Sequence, residues 1–141
     1  MNAPFKTQAL PEWSLADLYA DRDDPMIAAD IAKAKSSNDA LAALEGRFLA
    51  VRADPKALGQ LIDNGVKLYE AATNGLWGVG AYAALAASCA RNDPAWSKFE
   101  GDLRAKSAVI AAESLFFTLE LNRLEDAEIE AALKAHKPAA K

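Results

Sequence analysis

Hydrophobic residues recur at helical spacing along three long stretches of the chain. In the last stretch an apolar residue returns every seven positions, which keeps these residues on one side of an α-helix for several turns. They are Trp96, Leu103, Ile110, Phe117 and Leu124. The pattern predicts a long helix that faces a core along this stripe.

The two earlier stretches show the same spacing. The first carries its stripe at Ile27, Ala34, Leu41 and Phe48, and the second at Leu58, Ile62, Tyr69, Leu76, Val79 and Ala83. The polar residues 36–39 can cap and restart the first helix midway, and Asn74-Gly75 favours a kink or break in the second. Each glycine inside a helix costs about 1 kcal/mol relative to alanine. We therefore expect Gly65, Gly75, Gly78 and Gly80 to serve close contacts between helices.

An acid followed by proline precedes each of the three stretches, at residues 24–25, 54–55 and 93–94. Asp at an N-cap accepts hydrogen bonds from free amides, and Pro at the first helical position loses no needed donor. Long helices are therefore predicted to begin near Pro25, Pro55 and Pro94. Ser14 and Asp17 suggest a short leading turn, and Asp126 begins a short final helix.

No alternation typical of β-strands is present, and the alanine-rich composition favours helices. The predicted fold is all-α, an antiparallel bundle of three long helices with short terminal helices. We expect residues 1–9 to be a disordered N-terminal tail, residues 10–135 to form a single helical domain, and residues 136–141 to be a C-terminal tail.

Charge and composition exclude several classes of protein. The net charge of −4 gives no basic surface for nucleic acid. The uncharged run at residues 71–90 is long enough to span a bilayer, but its Ala and Gly content favours a helix buried within a bundle. The first residues lack the pattern of a secretory signal, so we expect a cytoplasmic protein without membrane or nucleic-acid partners.

Candidate catalytic and metal-binding residues are few. One cysteine and one histidine exclude an internal disulfide and the usual Cys/His zinc sites. Cys89 is predicted to be a small buried hydrophobe, and His136 a cation at a helix C-terminus. Glu113 and Glu120 lie seven residues apart, and we expect an ion pair or a solvated face there rather than a metal site. The glycines between residues 75 and 80 do not follow a strand, so packing explains them better than nucleotide binding.

Three segments together resemble the N-terminal region of one enzyme family. Residues 10–19 read LPEWSLADLY and are followed by DDP at 23–25, which we call the opening segment. The middle segment contains AYA at 81–83 and NDP at 92–94, and the closing segment is ESLFFTLELNRL at 113–124. In this order, over nearly the whole chain, they resemble the oligoendopeptidase F family of zinc metallopeptidases, relatives of thimet oligopeptidase.

The resemblance implies a helical N-terminal domain that packs over a catalytic domain and helps to wall the channel admitting short peptides. Family members hold zinc through a His-Glu-x-x-His helix and a further downstream glutamate. This chain contains no such motif, so no catalytic or metal-ligating residue is carried over and the chain is expected to be inactive alone. Zinc is implied only for a catalytic domain outside this chain. The alternative is a self-standing helical interaction module without protease activity; an enzyme in its own right is a weaker third hypothesis.

The closing segment also contains the candidate interface. At about 100° per residue, its apolar residues lie near 0°, 100°, 200°, 40° and 240° around the helix, wider than one core-facing stripe. They are Leu115, Phe116, Phe117, Leu119 and Leu121. The expected partner on this surface is the absent catalytic domain or a second copy of the chain.

Overall fold

The computed structural model describes residues 14–90 and 92–137, and within these ranges the protein is all-α. The helices, in chain order, are α1 (Pro25–Ala42), α2 (Arg47–Ala50), α3 (Pro55–Cys89), α4 (Pro94–Glu113), α5 (Leu115–Leu121) and α6 (Asp126–Ala135). The predicted fold class is therefore confirmed. The predicted N-terminal tail and residues 138–141 lie outside the described residues.

The long helices begin where the Asp-Pro pairs predict. Asp24 accepts a hydrogen bond from the Met26 amide at 2.9 Å, and Asp93 accepts one from the Ala95 amide at the same distance. Asp54 accepts from two amides of α3, those of Lys56 and Ala57. Each carboxylate satisfies amides that have no partner inside the helix, which fixes the first turn.

The predicted interruptions fall elsewhere in the structure. Residues 36–39 do not break α1, and Asn74-Gly75 does not break the 35-residue α3. The predicted third helix instead ends at Glu113, and Ser114 separates α4 from α5. The Ser114 hydroxyl donates to the Ala111 carbonyl at 3.1 Å, a bond that competes with the helical ladder and bends helices. At the N-terminus, residues 16–18 form a turn and not a helix.

Helix α3 is the axis of the bundle, and α1 and α4 pack against it in antiparallel directions. Ala34 of α1 contacts Gly75, and Ile27, nearer the start of α1, joins a buried cluster with Val79 further along α3. On the other side, Trp96 at the start of α4 packs on Tyr82, whereas Phe117 of α5 reaches back to Gly65. Contacts that run in opposite order along two helices define antiparallel neighbours.

Two clusters of buried side chains form the core. One joins the end of α1 to α2, α5 and α6 around the first half of α3, with Phe48 and Phe117 ring centroids 5.5 Å apart. The other joins the opening segment to the second half of α3 and the start of α4. Tyr19 lies in this second cluster and donates to Asp30 at 2.8 Å. Burial, with this hydrogen bond, raises the pKa of Tyr19 to about 12.

The glycines of α3 divide into two groups. A Cβ at Gly75 would lie 3.1 Å from the Ala34 Cβ, and one at Gly65 would lie 2.7 Å from the Phe117 ring, so both serve close contacts as expected. The same expectation is wrong for Gly78 and Gly80, where a Cβ would meet no atom of the described residues within 4 Å. At both positions a methyl group would enter open space.

Helix α6 closes the bundle against the first turns of α3. A Cβ at Gly59 would lie 2.5 Å from the Ala132 carbonyl oxygen, so only glycine allows this approach. His136 follows α6 directly, and its Nε2 lies 3.4 Å from Asp63 of α3. The C-terminal tail predicted to begin at residue 136 therefore needs correction, because the His136 side chain is part of this contact.

Candidate functional site

An open groove runs between α3 and the α4–α5 pair, along residues 69–84 of α3. Its volume is about 500 Å³. Leu76, Leu103 and Ile110 form its apolar walls, and Trp77 and Leu115 stand at its edges. Pockets of this size, mostly apolar with a few polar groups, are typical of binding sites. We call it the α3–α4 groove.

Charged side chains are almost absent from the groove. The charged residues among its lining are Glu100 and Arg104, which pair with each other at 2.8 Å near one end. Ser107, Ser114 and the amide of Asn38 supply the other polar groups deep in the lining. Depletion of charge is characteristic of the centre of a protein–protein interface.

Asn38 connects α1 to α4 beneath this groove. Its side chain is 1% exposed, and its Nδ2 donates to the Glu113 carboxylate at 3.0 Å. This bond fixes the orientation of the amide, because a carboxylate accepts from the nitrogen and not from the oxygen. The Oδ1 atom has no hydrogen-bond partner among the described residues. Asn38 therefore holds α4 to α1 through this hydrogen bond.

The five predicted interface residues have different environments. Leu115 and Leu119 are 58% and 51% exposed and are available to a partner. Phe117 is 4% exposed, because the space left by Gly65 admits its ring into the core. Phe116 and Leu121 are partly buried against the same cluster. The structure thus corrects the candidate interface, which retains Leu115 and Leu119 and loses Phe117.

Trp77, which is 74% exposed, is not among the residues predicted to form an interface. Tyr69 was placed on the core stripe of the second stretch, but the structure leaves its side chain partly exposed, with Val66 beside it at similar exposure. The signal was present in the spacing of Val66, Tyr69 and Trp77, which helical periodicity puts on one face next to the buried stripe. This second apolar face marks a helix with two packing surfaces.

Glu120 was expected on a solvated face or in an ion pair, but it is 7% exposed. Its Oε1 accepts a hydrogen bond from the backbone amide of Gly46, and its Oε2 has no partner among the described residues. Gly46 has a φ of 78°, which glycine adopts without strain. The Glu120 carboxylate therefore connects helix α5 to the turn that precedes α2. Glu113 lies apart from Glu120, and its carboxylate accepts a hydrogen bond from Asn38.

The remaining chemically distinctive residues do not converge on one centre. Cys89 is exposed, so the expectation that it is buried is wrong. The Lys67 ammonium, aided by His136, lowers the pKa of Asp63 despite partial desolvation. Within residues 14–90 and 92–137, no three His, Cys, Asp or Glu side chains are grouped so that they could hold a metal ion.

Comparison with known proteins leaves the chain without an assigned family. No family model matches it, and no curated protein or solved structure is significantly similar. Among the helices that the structure describes, none combines the length and the apolar character needed to cross a membrane.

Proposed function

We propose that this chain is the non-catalytic N-terminal helical domain of an oligoendopeptidase F-like zinc metallopeptidase, where it helps to wall the channel that admits short peptides. The observation that carries the proposal is the position of the three resembling segments in the fold. In the part of the chain that the structure describes, each of these segments supplies side chains to contacts between helices.

The opening and middle segments meet at one end of the bundle. The rings of Tyr19 and Tyr82 pack edge to face with centroids 5.0 Å apart. Arg22, which lies between the two parts of the opening segment, is 3.5 Å from the Asp93 carboxylate that caps α4, and its guanidinium lies over the Trp96 ring. These contacts link the chain before α1 to the junction of α3 and α4.

The closing segment forms the other end of the bundle. Phe117 enters the core beside Gly65, and Glu120 fixes the turn at Gly46. Glu113, the first residue of the segment, accepts from the buried Asn38 amide. The resemblance therefore falls on residues that determine helix packing at both ends, which supports a fold shared with the family's N-terminal region.

Zinc does not fit the residues of this chain. The family's His-Glu-x-x-His is absent, and the one histidine, His136, lies 3.4 Å from Asp63, whose carboxylate already pairs with Lys67. In the proposal zinc belongs to the catalytic domain, where it activates water for peptide hydrolysis. The part proposed for this chain is to shape the approach to that domain.

The exposed edge of the α3–α4 groove, with Trp77 at its centre, favours a second candidate, a self-standing helical interaction module. Sequencing the encoding reading frame beyond Lys141 separates the two. A continuous frame that encodes His-Glu-x-x-His supports the metallopeptidase domain. A stop codon directly after Lys141 overturns it in favour of the interaction module.

A direct assay tests the non-catalytic part of the proposal. The purified chain, incubated with quenched fluorescent oligopeptides with and without added zinc, is expected to give no zinc-dependent cleavage. Melting curves with and without a chelator are expected to coincide, since the chain lacks the ligands for a structural zinc site. Zinc-dependent turnover that co-purifies with the chain would contradict the proposal.

A further inference from the structure

Asn38 is a polar residue on the buried stripe of α1, between the apolar Ala34 and Leu41. It is 1% exposed, and its Nδ2 donates to the Glu113 carboxylate at 3.0 Å. A carboxylate accepts from the amide nitrogen and not from the amide oxygen, so this bond fixes which atom faces Glu113. The Oδ1 atom is therefore turned away from Glu113, and no described residue donates a hydrogen bond to it.

The Asn38 side chain reaches the floor of the α3–α4 groove. Asn38 lines the groove although it belongs to α1, whereas the other described lining residues lie on α3 or between residues 100 and 118. Buried acceptors in folded proteins are nearly always paired, because an acceptor without a donor loses the hydrogen bonds that it makes with water in the unfolded chain. The donor for Oδ1 is therefore expected to come from a molecule in the groove.

The walls of the groove favour a molecule larger than a water. A buried water needs about two to four polar partners. The walls of this groove of about 500 Å³ are instead formed by Leu76, Leu103 and Ile110. The Ser114 hydroxyl, also in the lining, donates its proton to the Ala111 carbonyl, so it offers a further acceptor and no further donor. An apolar molecule that carries a hydrogen-bond donor matches both the walls and the floor.

The distribution of charge favours a neutral molecule. Glu100 and Arg104 are the charged residues of the described lining, and they pair with each other at 2.8 Å. Glu100 precedes Glu113, the partner of Asn38, by about 20 Å along α4, and Glu113 itself does not line the groove. A charged group beside Asn38 would thus lose its hydration without gaining an opposite charge within the groove.

We propose that the α3–α4 groove binds a neutral amphiphile, an apolar molecule with one hydroxyl or N–H donor. The donor binds Asn38 Oδ1, and the hydrocarbon part packs on Leu76, Leu103 and Ile110. The inference does not rest on the proposed metallopeptidase function, which concerns the opening, middle and closing segments.

Isothermal titration calorimetry of the full 141-residue chain tests the proposal with two isomers, 1-octanol and heptyl methyl ether. The isomers contain the same atoms, but only the alcohol carries a donor. We expect a single molecule of 1-octanol to bind saturably, and the ether to bind roughly fivefold to tenfold more weakly, as the loss of one hydrogen bond predicts. Octanoate and octylammonium are expected to bind more weakly than 1-octanol, because each brings a charge into the groove.

Two glycines of α3 locate the binding site. A Cβ at Gly80 or at Gly78 would meet no atom of the described residues within 4 Å, so neither position forces a new side chain against the backbone of another helix. Gly80 lines the groove and Gly78 does not. Gly80→Leu is expected to lower the affinity for 1-octanol by about tenfold or more, because its side chain occupies part of the groove. Gly78→Leu is the matched control and is expected to leave the affinity unchanged.

A further variant tests the acceptor itself. Asn38→Leu removes Oδ1 at similar volume, and the Glu113 carboxylate that it leaves without a partner is exposed to water. The alcohol and the ether are expected to bind this variant with equal affinity. The glycine pair keeps the test decisive if Asn38→Leu does not fold.

Four results would each overturn the proposal. They are equal affinity of the two isomers for the wild-type chain, binding that Gly80→Leu leaves unchanged, tighter binding of either ion than of 1-octanol, and no saturable binding at all. A preference for the alcohol that persists in folded Asn38→Leu would also overturn it, because the donor would then be bound elsewhere.

Discussion

Two glycines of α3 provide a sharp test of the packing described here. Gly59 and Gly78 occupy the same helix and can receive the same substitution, Gly→Ala. A Cβ at Gly59 would lie 2.5 Å from the Ala132 carbonyl oxygen and 2.6 Å from the His136 Cβ. A Cβ at Gly78 would meet no atom of the described residues within 4 Å. The two variants therefore share a change in helix propensity and differ in steric cost.

Helix propensity favours both substitutions by about 1 kcal/mol, mostly by lowering the entropy of the unfolded chain. At Gly78 this gain is unopposed, so the free energy of unfolding is expected to rise by about 1 kcal/mol. At Gly59 the new methyl group meets the backbone of α6, which cannot move aside as a flexible side chain can. Overpacking of this kind costs roughly 1–3 kcal/mol, and displacement of α6 adds to it by exposing the buried Ala132. Gly59→Ala is therefore expected to destabilise the protein by about 1–2 kcal/mol.

Thermal and urea denaturation followed by far-UV circular dichroism measure the difference. A change of about 1 kcal/mol moves the Tm of a domain of this size by roughly 4 °C, so the two variants should shift in opposite directions. Dilute protein is used throughout, because self-association stabilises the folded state by mass action. Equal stabilisation by both variants would refute the close approach of α6 to α3, and with it the position of the last helix.

Two further predictions concern carboxylates. The pKa of Glu128 lies below its ordinary value of 4.5, because Arg52 first and the Glu125 amide second donate hydrogen bonds to its carboxylate. The stabilisation from this carboxylate is therefore fully present above the ordinary pKa, and it is lost as the pH falls through the lowered pKa of the folded protein. The wild-type urea midpoint should therefore exceed that of Glu128→Gln at neutral pH and approach it in acid; a gap that persists in acid would contradict the ion pair. Glu120→Ala removes the acceptor of the Gly46 amide and should cost about 1–3 kcal/mol in urea denaturation. Glu120→Gln keeps an acceptor and should cost less, so equal losses in the two variants would rule out that hydrogen bond as the reason.

The candidate site was only partly predictable from the sequence. The width of the apolar arc in residues 115–121 indicated a second surface there, and the structure leaves Leu115 and Leu119 on it. The same arc could not show that Leu115 and Leu119 are exposed whereas Phe117 is buried. Phe117 enters the core only because Gly65, distant in the chain, leaves room for its ring. Trp77 was missed because its exposure depends on where α1 and α4 lie around α3.

Features set by residues within one helical turn of each other were determined by the sequence alone. The starts of α1, α3 and α4 follow from the Asp-Pro pairs, because a carboxylate cap and a fixed proline φ act locally. The start of α6 at Asp126 was predictable for a similar reason, since Glu125 and Glu128 form a capping box. These contacts need no other part of the fold.

Features that depend on distant residues were decided by tertiary structure. Helix α3 continues through Asn74-Gly75 because Gly75 packs against Ala34, and this contact offsets the low helix propensity of glycine. Gly78 has the same intrinsic propensity but contacts no other helix, so its sequence context could not distinguish it from Gly75. Helical periodicity shows that a face is apolar, but which apolar face is covered depends on the positions of the other helices. Those positions result from burial summed over the whole chain, a non-local quantity that no short sequence pattern contains.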